Sequence, residues 1–361
     1  GLYRIQPTQG ADYTSVNARP ATPVAVGGSM TVASFNVLNY FNTLDDGVND
    51  ICGPAGDQEC RGADDEGERV RQLDKIVSAM AVMDADVLGI IEVENTTGVE
   101  AMADIVDGLN AISGSGTYAY IDTGTVGDDA IKVGFIYQPG TVTPVGDFAV
   151  LDDPAFVAPF GVDRNPAALA QTFLEDATGG KFTAVVNHFK SKGSPCGPGD
   201  DDPETGSCNL TRTVSAQVLA DWLETDPTGS GDPDVMIIGD LNSYDKEDPI
   251  DVLKAAGYAD LLFDYQGEFA YSYVFDGQFG YLDYLMSSAS MTAQVTGATE
   301  WHINADEPDI FDYDTSFKSD YQDSLFDPTT PFRSSDHDAA ILGLTLAGLS
   351  AEVEADPNLS L

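Results

Sequence analysis

Apolar residues along this chain come in short runs bounded by Gly, Asp and Pro. That pattern predicts buried strands at Met30–Val37, Val87–Val93, Lys132–Tyr137, Phe182–Asn187, Val235–Gly239, Tyr281–Met286 and Ala339–Leu346. Between them the period changes. Val70, Leu73, Ile76, Val77 and Met80 recur at helical spacing before the second run, and Val214, Val218, Leu219, Trp222 and Leu223 do so before the fifth. Helices that lead into strands make an α/β chain. Residues 1–30 are rich in Pro, Gly and Thr and have no period, so they are expected to form an extended arm or the remnant of a preceding module. A single large domain is expected over 31–348, with a tail over 349–361. Three Asp- and Gly-rich stretches, 45–68, 191–209 and 306–333, read as long loops, and loops of that length usually carry function or disorder.

Charge changes the picture first. With 60 acidic against 16 basic side chains the chain carries a formal −44. Its 42% hydrophobic content and strand patterns argue against disorder, so the acidity reads as adaptation to a salty medium that screens repulsion within a Debye length of about 8 Å or less. Clustered Asp45, Asp46, Asp50, Asp64, Asp65 and Glu66 offer oxygen ligands for a structural Ca²⁺, although no full EF-hand loop is present and solvated acidic loops are the alternative. The four cysteines fall as two close pairs. Three pairings are open; the local ones, Cys52–Cys60 and Cys196–Cys208, close short loops and suit an oxidising, extracellular compartment, while free thiols or a zinc site are the alternatives. No C-x-x-C spacing occurs.

Candidate chemistry sits where the apolar runs end: Asn36 in ASFNVLN, Glu92 in DVLGIIEVEN, His188 in VVNHFKSKG, and Asp240 with Asn242 in VMIIGDLNS. Asp240 and Asn242 are two apart, which aims both side chains at one face, although Asp-x-Asn is also turn chemistry. Glu92 and Asn36 supply the oxygen donors that a hard divalent ion prefers. Of only three histidines, two sit beside polar motif residues, in Asn187-His188 and Asp336-His337-Asp338. A histidine oriented by a carboxylate can protonate a leaving alkoxide or stabilise a charged phosphorane. His302, next to Trp301, reads as packing.

Six segments in order, SFNVLN, ADVLGIIEVEN, NHFKSKG, IIGDLN, YLDYLM and SSDH, resemble the signatures of the endonuclease/exonuclease/phosphatase superfamily over roughly residues 30–347. The wording RGADDEGERVRQLDKIV, DAIKVGFIY and RNPAALAQTF is similar to extracellular bacterial nucleases of the ExeM type. The resemblance implies a DNase I-like fold, a four-layer α-β-β-α sandwich of two mixed β-sheets flanked by helices. It implies Asn36, Glu92 and Asp336 as metal-site residues for Mg²⁺ or Mn²⁺. Asp240 and Asn242 would position nucleophile and phosphate, His188 would act as general acid, and Asp283 would orient His337 toward the scissile phosphate. Abasic-site endonucleases usually have tyrosine in place of His188, which disfavours a repair role. The glutamate that orients this histidine in pancreatic-type enzymes has no clear match, and Asp129 in GDDAIKV is taken as its substitute.

The implied activity is a secreted, metal-dependent nuclease acting on DNA, with RNA also open, as a monomer without stable membrane association. No run of about 18 apolar residues is present. A −44 chain repels a polyanion, so a local positive cleft is expected from Arg61, Lys132, Arg164, Lys190, Lys192 and Arg212, with Lys132, Arg164, Lys190 and Arg212 as substrate-binding candidates. Activity is then expected to peak at elevated salt. The rival activities are a sphingomyelinase-like phospholipid phosphodiesterase and a nucleotide or sugar phosphatase. The first needs an apolar lipid-facing hairpin; the aromatic stretch from Phe263 to Phe279 could supply one, but its expected use is core or sheet packing.

Overall fold

A computed structural model of the chain describes residues 18–161 and 165–348, together with Thr8, Gly10 and Thr14. Its strands are β1 (Met30–Tyr40), β2 (Val87–Glu94), β3 (Ala119–Tyr120), β4 (Ile131–Tyr137), β5 (Val142–Leu151), β6 (Ala168–Glu175) and β7 (Lys181–His188). There follow β8 (Val235–Asp240), β9 (Ala259–Asp260), β10 (Tyr273–Phe275), β11 (Gln278–Gly280), β12 (Asp283–Ser287), β13 (Val295–Trp301) and β14 (Ala339–Leu344). Two six-stranded sheets result, ordered β13-β14-β1-β2-β4-β3 and β5-β6-β7-β8-β12-β9, with β10 and β11 paired apart from them.

Each sheet is mixed for the same reason. Only β1 with β2, and β7 with β8, run parallel, and a parallel pair needs a crossover, here a helix. The crossovers are α1 (Glu66–Met83) and the Asn209–Leu223 helix, the two whose periodicity was legible in the sequence. Asp65 opens α1 by accepting the Glu68 N–H. With α2 (Glu100–Ser113), α1 covers the outer face of the first sheet, where Ala33, Phe35, Leu88 and Ile90 meet Ile76, Met80 and Ile105. Alternation sends Val32, Val87 and Ile91 to the other face, into a core shared with Val186, Ile238 and Leu285 of the second sheet. The result is the expected α-β-β-α sandwich.

Seven strands escaped the apolar-run reading: the long β5, β6 and β13 and the short β3, β9, β10 and β11. For the N-terminal segment the sequence predicts an extended arm or the remnant of a preceding module. Over residues 18–29 it packs on the domain: Arg19 pairs with Asp306 and Glu307, Trp301 donates to the Pro20 carbonyl (3.2 Å), and the Ser29 N–H donates to Leu344 (2.7 Å). Residues 1–7 and 349–361 lie outside the described residues.

Candidate active site

The two parallel pairs end at the same edge of the sandwich, and so do Asn36, Glu92, His188 and Asp240. Register completes the set. His188 lies opposite Asp240 on β8, and Asp240 lies opposite Asp283 at the start of β12. His337 precedes β14, which is antiparallel to β1. Pairing on both sides of β2, with β1 and with β4, shifts register at Asn36–Tyr40 and Ile90–Val93, where the strands reach the cleft. Leu38 (φ 56°), Asn39 (φ 51°), Glu92 (φ 66°) and Asn242 (φ 47°) are all left-handed. Such conformations cost roughly 1–3 kcal/mol each for residues other than glycine and concentrate at functional sites.

Hydrogen bonds fix the groups. The Leu38 N–H donates to Asn36 Oδ1 (2.9 Å) and the Asn39 N–H to Glu92 Oε2 (3.1 Å). Asp240 Oδ1 accepts the Asn242 N–H (2.8 Å), while the Asn242 amide donates to the Phe189 carbonyl (3.0 Å). His337 Nδ1 donates to Asp283 Oδ2 (2.7 Å), which also accepts Ser272 Oγ (2.6 Å). Asp240 Oδ2 then lies 3.8 Å from both His188 Nε2 and His337 Nε2, and Glu92 Oε1 is 3.7 Å from His188 Nε2.

The two histidines are driven apart in proton affinity. Burial, reinforced by His337, Arg61 and Lys190, pushes His188 down to about 3. Burial alone would depress His337 as well, but the carboxylates of Asp283, Asp336 and Asp240 outweigh it and hold the imidazolium well above the ordinary value. Burial also raises Glu92, with Asp336 adding and the Asn36 amide opposing, and it raises Asp240 against the pull of His337.

Among the described residues, the group able to hold a cation is Glu92, His188 and Asp240, whose donor atoms lie within 4.8 Å of one another. Two carboxylates and an imidazole with donor atoms this close suit a divalent ion; burial first, and neighbouring carboxylates second, raise the proton affinity of both carboxyls. The residues therefore fit such an ion. This set differs from the expected Asn36, Glu92 and Asp336. Asn36 adjoins Glu92, and Asp336 acts on it through its charge. The acidic loop residues proposed for Ca²⁺ form no comparable group among the described residues.

The sequence profile of the Endonuclease/Exonuclease/phosphatase family matches residues 31–323. The chain belongs to this family. Endonuclease/exonuclease/phosphatase proteins hydrolyse phosphoester bonds with divalent metals, which agrees with the Glu92, His188 and Asp240 group. Among curated proteins no match is found. A Bacteroides vulgatus endonuclease/exonuclease/phosphatase superposes with a TM-score of 0.53 at 17% identity, covering 88% of this chain and 98% of that one. The mannosyl-6-phosphatase of Bacteroides thetaiotaomicron gives 0.53 at 18%, covering 88% and 100%. A humanized D. rerio TDP2 gives 0.50 at 14%, covering 87% and 97%. At these identities the likeness shows the family fold and no particular substrate.

Several expected site residues lie elsewhere. Lys132 is buried and donates to the carbonyls of Gly98 (3.2 Å) and Gly124 (2.6 Å), so it ties loops together and cannot reach a phosphate. Arg212 is fully buried, bonded to Ser243 Oγ (3.1 Å) and to the carbonyls of Lys190 (3.0 Å) and Ser207 (2.8 Å). Asp129 pairs with Arg61 (3.3 Å), and His188 Nδ1 has no hydrogen-bond partner among the described residues, so the substitute orienting carboxylate is not found there. Burial thus works against the protonated form of His188 that a general acid requires. Arg164 lies outside the described residues. Lys190 borders the site, its ammonium bonded to Ser191.

Three contributors are given no site role from the sequence: Ser272, which holds Asp283; Tyr273, whose ring lies 4.6 Å from that of His337; and Asp338, which follows His337 in its motif. Asp338 accepts N–H groups of Ile303 (2.9 Å), Asn304 (2.8 Å) and Ala305 (3.2 Å), and Asn304 in turn donates to the His337 carbonyl (2.8 Å). His302, read as packing, also bonds Asp338 (2.9 Å) and stacks on Tyr271 at 3.8 Å.

Proposed function

We propose that the chain is a secreted, divalent-metal-dependent nuclease that hydrolyses phosphodiester bonds of DNA. One observation carries the reading: Asp240 Oδ2 stands 3.8 Å from each of two histidines, one locked by a buried carboxylate and the other grouped with Glu92. A phosphodiester needs an oriented water, positive charge against its non-bridging oxygens, and a proton for the leaving alkoxide. Asp240 and Asn242 orient the water, whose oxygen forms the new P–O bond. His337, fixed by Asp283, lends charge and yields a proton to the departing oxygen. Glu92, Asp240 and His188 would hold the metal, with Asn36 and Asp336 beside them; such an ion supplies Lewis-acid neutralisation of the phosphate. Both predicted disulfides, Cys52–Cys60 and Cys196–Cys208, are formed, which supports an oxidising destination and hence secretion.

Digestion of supercoiled plasmid with Mg²⁺ or EDTA tests this. Nicking is expected with metal, lost with chelator, and reduced by at least about a hundredfold in His188→Ala. Intact plasmid alongside rapid hydrolysis of sugar or nucleotide monoesters would move the substrate to the phosphatase branch.

A further inference from the structure

Beyond the reacting groups, the edge of the site carries rings that the fold does not bury. β10 and β11 form a hairpin whose two-residue turn, Asp276-Gly277, has positive φ at both positions (50° and 78°), the geometry that matches strand twist. Alternation places Tyr273 and Phe275 on one face, with Phe275 directly opposite Gln278 and Tyr273 opposite Gly280. That face is the catalytic one, because Tyr273 lies against His337. Phe279 points to the other face, edge-on to Tyr271 at 5.0 Å. Phe275 is nevertheless 62% exposed, contrary to the packing role expected for this stretch.

An open hollow of about 230 Å³ lies between Phe275, Gln278, Phe279 and Tyr244. A side chain at Gly280 would meet Tyr244 Cδ1 at 2.7 Å, so glycine there lets the tyrosine ring lie on the hairpin. Tyr244 follows Asn242 by two residues and lies within the fields of His337 and Asp240, which sets the hollow beside the catalytic groups. Charge decides the occupant. Lys192, whose ammonium lies 5.3 Å from the Tyr244 ring, is committed to Glu247 (2.6 Å), and the cations whose field reaches His188 are Arg61 and Lys190. Little positive surface is therefore offered to the phosphates of a strand.

We infer that Phe275, faced by Tyr244 and flanked by the Gln278 amide, is a stacking platform for an unpaired nucleobase next to the scissile bond, so that the enzyme grips its strand through bases more than through phosphates. The inference rests on the nuclease reading and names its substrate class, single-stranded or locally unpaired DNA. Stacking on an aromatic side chain tolerates any base and requires one taken out of a duplex stack.

Steady-state cleavage of a thymidine oligonucleotide in Mg²⁺ tests it, with a matched oligomer that is abasic on both sides of the cleaved bond. Phe275→Ala is expected to raise KM on the normal oligomer about tenfold or more at nearly constant kcat, Phe275→Trp to restore it, and Ile112→Ala, at an exposed apolar position in the last turn of α2 outside the hollow, to leave it unchanged. On the abasic oligomer wild type and Phe275→Ala should be alike. Equal KM for wild type and Phe275→Ala on the normal oligomer overturns the platform while leaving the nuclease reading intact. So does loss of binding to phosphatidylcholine vesicles in Phe275→Ala with DNA kinetics unchanged, which makes the hairpin a lipid contact. A folded wild type that cleaves no DNA at all removes the nuclease reading itself.

Discussion

Asp283 shows how a single residue sets the state of the site. Fully buried, it accepts both from Ser272 Oγ and from His337 Nδ1, so the imidazole can present only Nε2 to the cleft. Asp283→Asn is expected to keep the fold and lower kcat by roughly 10²–10⁴-fold, because the amide no longer favours the imidazolium or fixes its tautomer. Ser272→Ala should cost less, about tenfold, since His337 remains bonded to the carboxylate. Single-turnover rates on one oligonucleotide check both, and a Ser272→Ala enzyme as impaired as Asp283→Asn would show that the serine acts other than through Asp283.

At the scale of elements, what could be read depended on how purely apolar each strand is. β1, β2, β7 and β8 are buried on both faces and declare themselves as runs, so the residues at their ends were legible too. β5 is an edge strand with Pro144, Gly146 and an exposed half, and β6 buries Gln171 and Thr172 through side-chain hydrogen bonds; both patterns break the run. Ser272 and Tyr273 reach the site only by tertiary contact, which spacing does not encode, and Asp338, though next to His337, shows its role only through the Ile303–Ala305 amides it accepts. Lys132 and Arg212 misled for the opposite reason, since closeness to a motif says nothing of which way a side chain faces.

β13 hides a further polar group, Glu300, which burial pushes up to about 8 despite a hydrogen bond from the Tyr271 N–H (3.1 Å). Between the ordinary carboxyl value and about 8 the folded chain keeps a proton that the unfolded chain releases, so stability falls as pH rises through that window. Glu300→Gln is expected to flatten this slope and to stabilise by on the order of a few kcal/mol at pH 8–9, with little gain at pH 4–5. Urea midpoints at the two pH values measure it, and an equal gain at both would point to packing instead.

For the whole molecule the chief fact is the disposition of its few cations. Arg19, Arg71, Lys75, Lys318 and Arg333 fasten the 306–333 loop, Arg69 pairs with Glu66 and Asp104, and Lys254 with Asp260. Against the expectation of a positive cleft, the described cations mainly hold the acidic shell together. Activity on DNA should rise with added salt while the −44 shell is being screened, and then decline gently. With about two phosphate contacts, the falling limb of log(kcat/KM) against log salt should be no steeper than about −2. A slope of −5 or beyond would require several more cations at the cleft than Arg61 and Lys190. One dimension of the fold bears on all of this: Glu92 belongs to one sheet, and His188 and Asp240 to the other. At Gly89, three residues before Glu92, an added Cβ would meet Ile238 Cδ1 at 2.5 Å and Val186 Cγ2 at 3.2 Å across the seam. The cleft thus acts as a caliper on the spacing between the sheets. Gly89→Ala, by prising the halves apart a few tenths of an ångström, should silence turnover in a protein that still melts as a single cooperative unit.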